Sequence, residues 1–314
     1  MADQNQSRFT PQNPHWHADL PERDAPDIEQ PAIYSDLNFI DDTYLEYSRA
    51  SVRSRGMLVL FSIPLFGAVA FGVWMFSSDI PGLIQDTGWI FVIVPISIIV
   101  AITFGIFGLR LDLATPRDEP VRFNRKRGKV YVSEYKHNWN PFGHWGAVTK
   151  EYDWNTLQAE ITREAGFNGK IYVVRYALIL VSVKPGTNEV VDRFRLAMPF
   201  DNYFPPLWAY LKHYMRGGPI VKPETALRRQ EASFINSMYE WLPTFEITQT
   251  TGYNGEIIKH SFGASVAILF GNLLLSALFP LLFIMAVSHY IAMRFAPESI
   301  WPPEMDEASK TAPA

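Results

Sequence analysis

The chain has 314 residues, 48% of them apolar, with 28 basic against 32 acidic side chains and no cysteine. A net charge of −4 argues against a nucleic-acid binder. The missing thiols exclude disulfide scaffolds, thiolate zinc sites and cysteine nucleophiles.

Residues 1 to about 45 carry Pro11, Pro14, Pro21, Pro26 and Pro31 among many polar side chains, with no sustained apolar period. That composition predicts a largely disordered segment over 1–55, or one draped over a partner. Leu37 to Ser51 is expected to form a short helix leading into the membrane, with Asp41 and Asp42 at its start. His15-Trp16-His17 offers two histidines but lacks the further ligands of a closed metal site.

Gly56–Phe76 and Trp89–Leu109 are each 21 residues without a charge. As helices they reach about 31 Å, the thickness of a hydrocarbon core. The first block is too long and too far in to be a signal-peptide core. A third charge-free block runs from Phe262 to about Met293. It is expected to form one tilted or kinked span within 259–293, bent at Pro280, or an interfacial helix followed by a span. Arg49, Arg53 and Arg55 precede the first span, and a basic run from Arg110 to Lys129 follows the second. The connector Ser77–Gly88 carries only Asp79 and Asp86. Basic flanks stay in the cytoplasm, so the N-terminus and residues 110–258 are expected there, with the 294–314 tail on the periplasmic side.

The middle region alternates as β structure does. VRFN (121–124) and KVYVS (129–133) flank a polar turn ending in Gly128, a hairpin signature. Strands are predicted at Ala147–Trp154, Gln158–Arg163, Lys170–Val183 and Glu189–Pro199. A helix is predicted over Asn202–Met215, stopped by Gly217-Gly218-Pro219, and a second over about Glu224–Trp241. This order is similar to the pleckstrin-homology-like barrel that some bacterial membrane proteins carry behind a pair of spans. The expectation is an α+β membrane protein: about three transmembrane helices and an antiparallel barrel or curled sheet capped by one helix.

Catalytic signatures are missing. The sequence has no phosphate loop, no dinucleotide fingerprint, no nucleophile elbow and no zincin helix. The three apolar blocks hold no lysine, arginine or carboxylate of the kind a proton or ion relay needs. The reading is therefore non-enzymatic, with no cofactor and no metal. A membrane hydrolase would need His137, His144 and an acid gathered in one pocket. Two features point to interfaces. Trp139, Phe142 and Trp145 lie on one Gly/Pro-containing loop. They either anchor in the membrane interface or a partner's pocket, or fold back as a mini-core. Arg122, Arg125, Lys126 and Arg127 either contact anionic headgroups or only set topology and solvate a turn.

VRFNRKRGKVYV (121–132), WNPFGHW (139–145) and LWAYLKHYMRGGP (207–219) resemble a family of bacterial membrane proteins of undefined biochemistry, whose genes often lie beside type VI secretion effector genes. The resemblance implies an inner-membrane immunity protein that binds and neutralises a membrane-acting toxin. The alternative is a membrane-anchored adaptor whose barrel-like domain binds anionic lipid or a protein.

Overall fold

The computed structural model describes residues 6–26, 29–33, 37–49, 55–78, 90–167, 172–197, 204–220, 232–241, 249–251 and 257–312. Most of the expected connector between the first two apolar blocks, and the beginning of the helix expected from Glu224, lie outside the described residues.

The fold is α+β, with two main antiparallel sheets. One has five strands in chain order: β2 (Leu37–Ile40), β3 (Tyr44–Tyr47), β4 (Val121–Asn124), β5 (Lys129–Lys136) and β6 (Gly146–Asp153). The other has four, in the order β1 (Trp16–Asp19), β7 (Leu157–Phe167), β8 (Tyr172–Val183) and β9 (Val190–Ala197). The expected hairpin forms with Asn124 opposite Lys129, and all four further strands stand where alternation placed them.

The sheets do not close into one barrel. A short turn at Trp154–Thr156 carries the chain from β6 into the second sheet. Where β6 approaches β9, side chains make the contact. Lys150 Nζ and the Tyr152 hydroxyl both donate to Asp192 at 2.8 Å, and Tyr152 stacks on Phe194 at 4.9 Å. Burial raises the Asp192 carboxyl, but these two donors and the Arg193 amide outweigh that and hold it below the usual carboxylate range.

Between the sheets lies α3 (Phe204–Met215; α1 and α2 are the apolar helices below). Pro205 and Pro206 sit in its first turn, where a missing N–H costs nothing. Leu207, Leu211, Trp208, Tyr210 and Tyr214 are all buried, so nearly the whole circumference of the helix is covered. At about 1.5–3 kcal/mol per large apolar side chain, this plug is a major share of the core. Its Trp208 indole donates to Pro21 O at 2.8 Å, its Tyr214 hydroxyl to Asp41 O at 2.9 Å, and Ala32 N to Pro206 O at 3.2 Å.

Those bonds correct the reading of the N-terminal segment. The described part of 6–49 drapes over the chain's own helix and joins both sheets. β1 pairs with β7, and β2 and β3 extend the larger sheet in place of the expected helix at 37–51. Phe9, Leu20, Ile33 and Leu37 are all buried, although they are spaced too widely to read as a period, and Leu45 and Tyr47 are buried on β3. Around Tyr44-Leu45-Glu46-Tyr47, alternation with period two and a cross-strand partner outweigh the helix-start signal of Asp41. Asp41 instead accepts from the Thr43 and Tyr44 amides, closing the β2–β3 turn.

From one edge of this unit rise α1 (Met57–Ser78) and α2 (Ile90–Leu113), both long and apolar enough to cross a membrane. β3 leads into α1 and β4 follows α2, so both ends of the hairpin enter adjacent strands of one sheet. The third apolar block is two helices, α5 (Phe262–Ala277) and α6 (Phe279–Phe295), broken at Leu278. Pro280 lies in the first turn of α6, where it denies the preceding turn a donor and forces the bend. A short helix α4 (Phe234–Trp241) packs along α6.

Candidate functional site

The base of the two long helices is an interlock. Arg55, just before α1, donates to the carbonyls of Asp112 at 3.2 Å, Thr115 at 2.9 Å and Pro116 at the end of α2. In return the Asp112 carboxylate, in the last turn of α2, accepts from Val59 N at 2.9 Å at the start of α1. Each helix thus supplies the charge that the other's terminus needs. Gly105 makes room for the crossing, because a Cβ there would come within 2.6 Å of the Phe66 ring. α6 joins at the bottom. Gly56, at φ +89, lies so near His289 that a Cβ would stand 2.5 Å from its amide nitrogen.

Beside this base stands the β5–β6 loop. Trp145 is buried, with the Arg110 guanidinium 4.5 Å from its ring and Phe107 edge-on at 5.8 Å. Its indole donates to Asn140 O at 3.1 Å, and Arg110 also donates to Pro141 O. Asn138 and Asn140 side chains accept from backbone amides two residues on, which fixes the loop's path. The loop therefore holds itself rigidly at the last turns of α2. From there Trp139, 88% exposed, stacks on Phe107 at 6.0 Å, and Phe142 stands 72% exposed. The aromatic loop divides by residue: Trp145 folds back as a mini-core, while Trp139 and Phe142 remain exposed.

The basic group does not behave as headgroup contacts would. Arg122 is buried, bonded to Glu46 at 2.5 Å, Asp306 at 2.6 Å and Ser309 at 2.8 Å, with its guanidinium 4.5 Å from the Trp301 ring. Arg125 is held by Asp42 and Gly218 O, against the Tyr214 ring. Arg127 donates to Thr311 and Ala312. Of the four only Lys126 is exposed with no described bond. Position counts against them as well. β5 runs from Lys129, beside the basic turn, to Lys136, beside the aromatic loop. Those seven steps put the turn about 23 Å from the end of the sheet that meets α2. Spacing along the chain had suggested proximity, but β4 carries the turn away from the apolar helices.

Asp306 and Ser309, which hold Arg122 beside Glu46, and the acceptors of Arg127 come from the tail, which the sequence reading had set on the opposite side of the membrane. Helix α7 (Pro303–Lys310) lies on β4 and β5. Asn124 Nδ2 donates to Ser309 O at 3.0 Å and Thr311 O at 2.9 Å, and Arg117 N to Pro297 O at 2.9 Å. Burial raises the Asp306 carboxyl, but bonds from Lys310 and Arg122 outweigh it and leave the net shift downward. No sequence pattern marks this clamp. A buried basic residue on a strand and an acidic helix some 180 residues on declare themselves only when folded together.

Elsewhere the smaller sheet holds Glu160, fully buried. Its Oε1 accepts from Asn13 at 3.2 Å and Arg193 at 3.1 Å, and its Oε2 is without a hydrogen-bond partner. Burial pushes its pKa up. Beside it a cleft of about 270 Å³ is lined by His15, Glu164, Arg175, Tyr176, Ile179 and Arg195 among others. His17 sits against Tyr176 at 5.4 Å, and His137 against Trp145 at 6.1 Å. Among the described residues no group of three His, Asp or Glu could hold a metal ion.

The fold and its base define a two-sheet α+β unit interlocked with a pair of long apolar helices. The model of a family of unknown function, DUF6708, matches residues 98–313, more than half of the chain, and the chain belongs to that family. The match begins inside α2 and ends in the tail, so β1, β2 and β3 lie outside it. No curated protein and no solved structure matches the chain.

Proposed function

We propose that the protein crosses the bilayer with α1 and α2, holds its two-sheet unit against one face, and acts there by binding another protein. The observation that carries this reading is the bareness of the two helices. Over their most apolar windows only 11% of residues are buried. Phe61, Phe71, Trp74, Ile99 and Phe104 stand exposed. A core helix of a soluble protein would be covered, whereas this surface fits hydrocarbon. Arg49, Arg55, Arg110 and Arg117 flank the helices on the side of the unit, which favours the cytoplasmic face. Trp139 and Phe142, at the end of α2, suit the headgroup level, where large aromatics collect. Alkaline extraction of membranes tests the crossing, and release of the chain into the supernatant would refute it.

The partner is proposed from the resemblance of residues 121–132, 139–145 and 207–219. On that basis the protein is an immunity protein of a bacterial inner membrane, shielding its producer from a membrane-acting toxin delivered by type VI secretion. Helices in the bilayer would stand where such a toxin arrives. Deleting the gene and challenging the cells with toxin-secreting kin tests this, with loss of survival expected. Unchanged survival would remove the immunity reading and leave the membrane reading standing. The adaptor alternative loses support because its basic turn is engaged by the chain itself and lies at the far end of the sheet.

A further inference from the structure

The clamped tail constrains how the third apolar block meets the bilayer. Resting on the membrane reading above, we propose that residues 262–293 enter and leave the leaflet facing the two-sheet unit, and do not cross. The chain before residue 221 is held by α3, at the centre of the unit's core, and the chain after residue 295 is bonded to β4 through Arg122, Asn124 and Arg127. Both ends of 221–295 therefore lie on one face, so the segment between crosses an even number of times.

Two crossings need two spans of about 20 apolar residues each. Residues 221–261 cannot supply one. They carry Glu231, Glu240, Glu246, Glu256 and Lys259 among other charges, and no uncharged run there exceeds nine residues. That leaves no crossing at all. The lengths agree: α5 has 16 residues and α6 has 17, each about 25 Å and short of a hydrocarbon core. The lower half of α6 is spent at the base, where His289 meets Gly56.

The occupant of the bare helix α5 is the acyl region of that leaflet. Phe262, Val266, Leu269, Phe270 and Leu273 are exposed around it, and among other described elements only α6 contacts it appreciably. A helix lying in the headgroup plane keeps a charged face, and α5 has none. Uncharged throughout, and apolar but for the stripe of Ser265, Asn272 and Ser276, it fits hydrocarbon better than the headgroup plane. The protein would thus grip one leaflet with α5 and α6 while α1 and α2 pass through both.

The chain has no cysteine, so each introduced thiol is a unique probe. Lys184→Cys marks the two-sheet unit, Ala312→Cys the tail, Thr87→Cys the connector and Lys259→Cys the approach to α5, with Ser261→Cys as its substitute should Lys259→Cys fail to fold. Full-length variants in right-side-out and inverted vesicles are treated with a membrane-impermeant maleimide. The proposal expects probes 184, 312 and 259 to react in one orientation and probe 87 only in the other. Reaction of probe 259 together with 87 would overturn it by showing a crossing. Reaction of probe 312 opposite to 184 would overturn it by removing the clamp. Reaction of 87 together with 184 would instead sink the two-span reading on which it rests.

Discussion

Replacing Arg122 should loosen the tail and the larger sheet together, and the structure sets how much. Its side chain is 7% exposed, against 16% for Glu46 and 37% for Asp306. Removing one member of a buried pair costs about 3–5 kcal/mol, because the survivor keeps its charge without its partner. Glu46 is buried deeply enough to bear that loss. Asp306 is more exposed and still holds Lys310 at 2.8 Å, so its share falls in the surface range of about 0–1 kcal/mol. Arg122→Ala should therefore cost about 3 kcal/mol, or about 6–12 °C in Tm for a unit of this size, and Asp306→Ala no more than about 1 kcal/mol. In a double-mutant cycle the Arg122–Glu46 coupling should exceed the Arg122–Asp306 coupling. The assay is thermal unfolding of the detergent-solubilised full chain, with limited proteolysis of the tail in parallel. Equal losses for Arg122→Ala and Asp306→Ala, with the tail no more readily cleaved than in the parent, would refute the clamp. The argument for a one-leaflet insertion would go with it.

Three further outcomes are expected. Burial raises the Glu160 pKa above its unfolded value, so its contribution is fully present below pH 4.5 and is lost as pH rises through the folded value. Glu160→Gln should therefore gain stability relative to the parent as pH rises from 4.5 to 7.5 in unfolding scans; a loss growing over that window would contradict the assignment. Gly56→Ala should destabilise by more than about 1 kcal/mol, since both φ +89 and the His289 backbone oppose a Cβ, and an unchanged Tm would disprove that contact. Trp145→Ala should cost about 3–5 kcal/mol and Trp139→Ala under about 1 kcal/mol, by the same scans. Comparable losses would mean that the loop packs otherwise.

By itself the sequence determined the elements whose signals are local. Charge-free runs define α1 and α2, a polar turn ending in Gly128 defines the β4–β5 hairpin, and the apolar repeat between Pro205 and Gly217 defines α3. Each follows from periodicity and from residues that start or stop a chain direction, which need no distant partner. What only the tertiary structure decided are the pairings between remote segments. The N-terminal stretch looked structureless because its buried residues are spaced by the surface of α3 and by β4, not by their own period. The basic turn looked close to the apolar helices because distance along the chain says nothing about which way a strand runs. The docking of the tail on β4 was beyond reach for a similar reason. Arg122 and Asp306 are 184 residues apart, and an ion pair between them leaves no pattern in either neighbourhood.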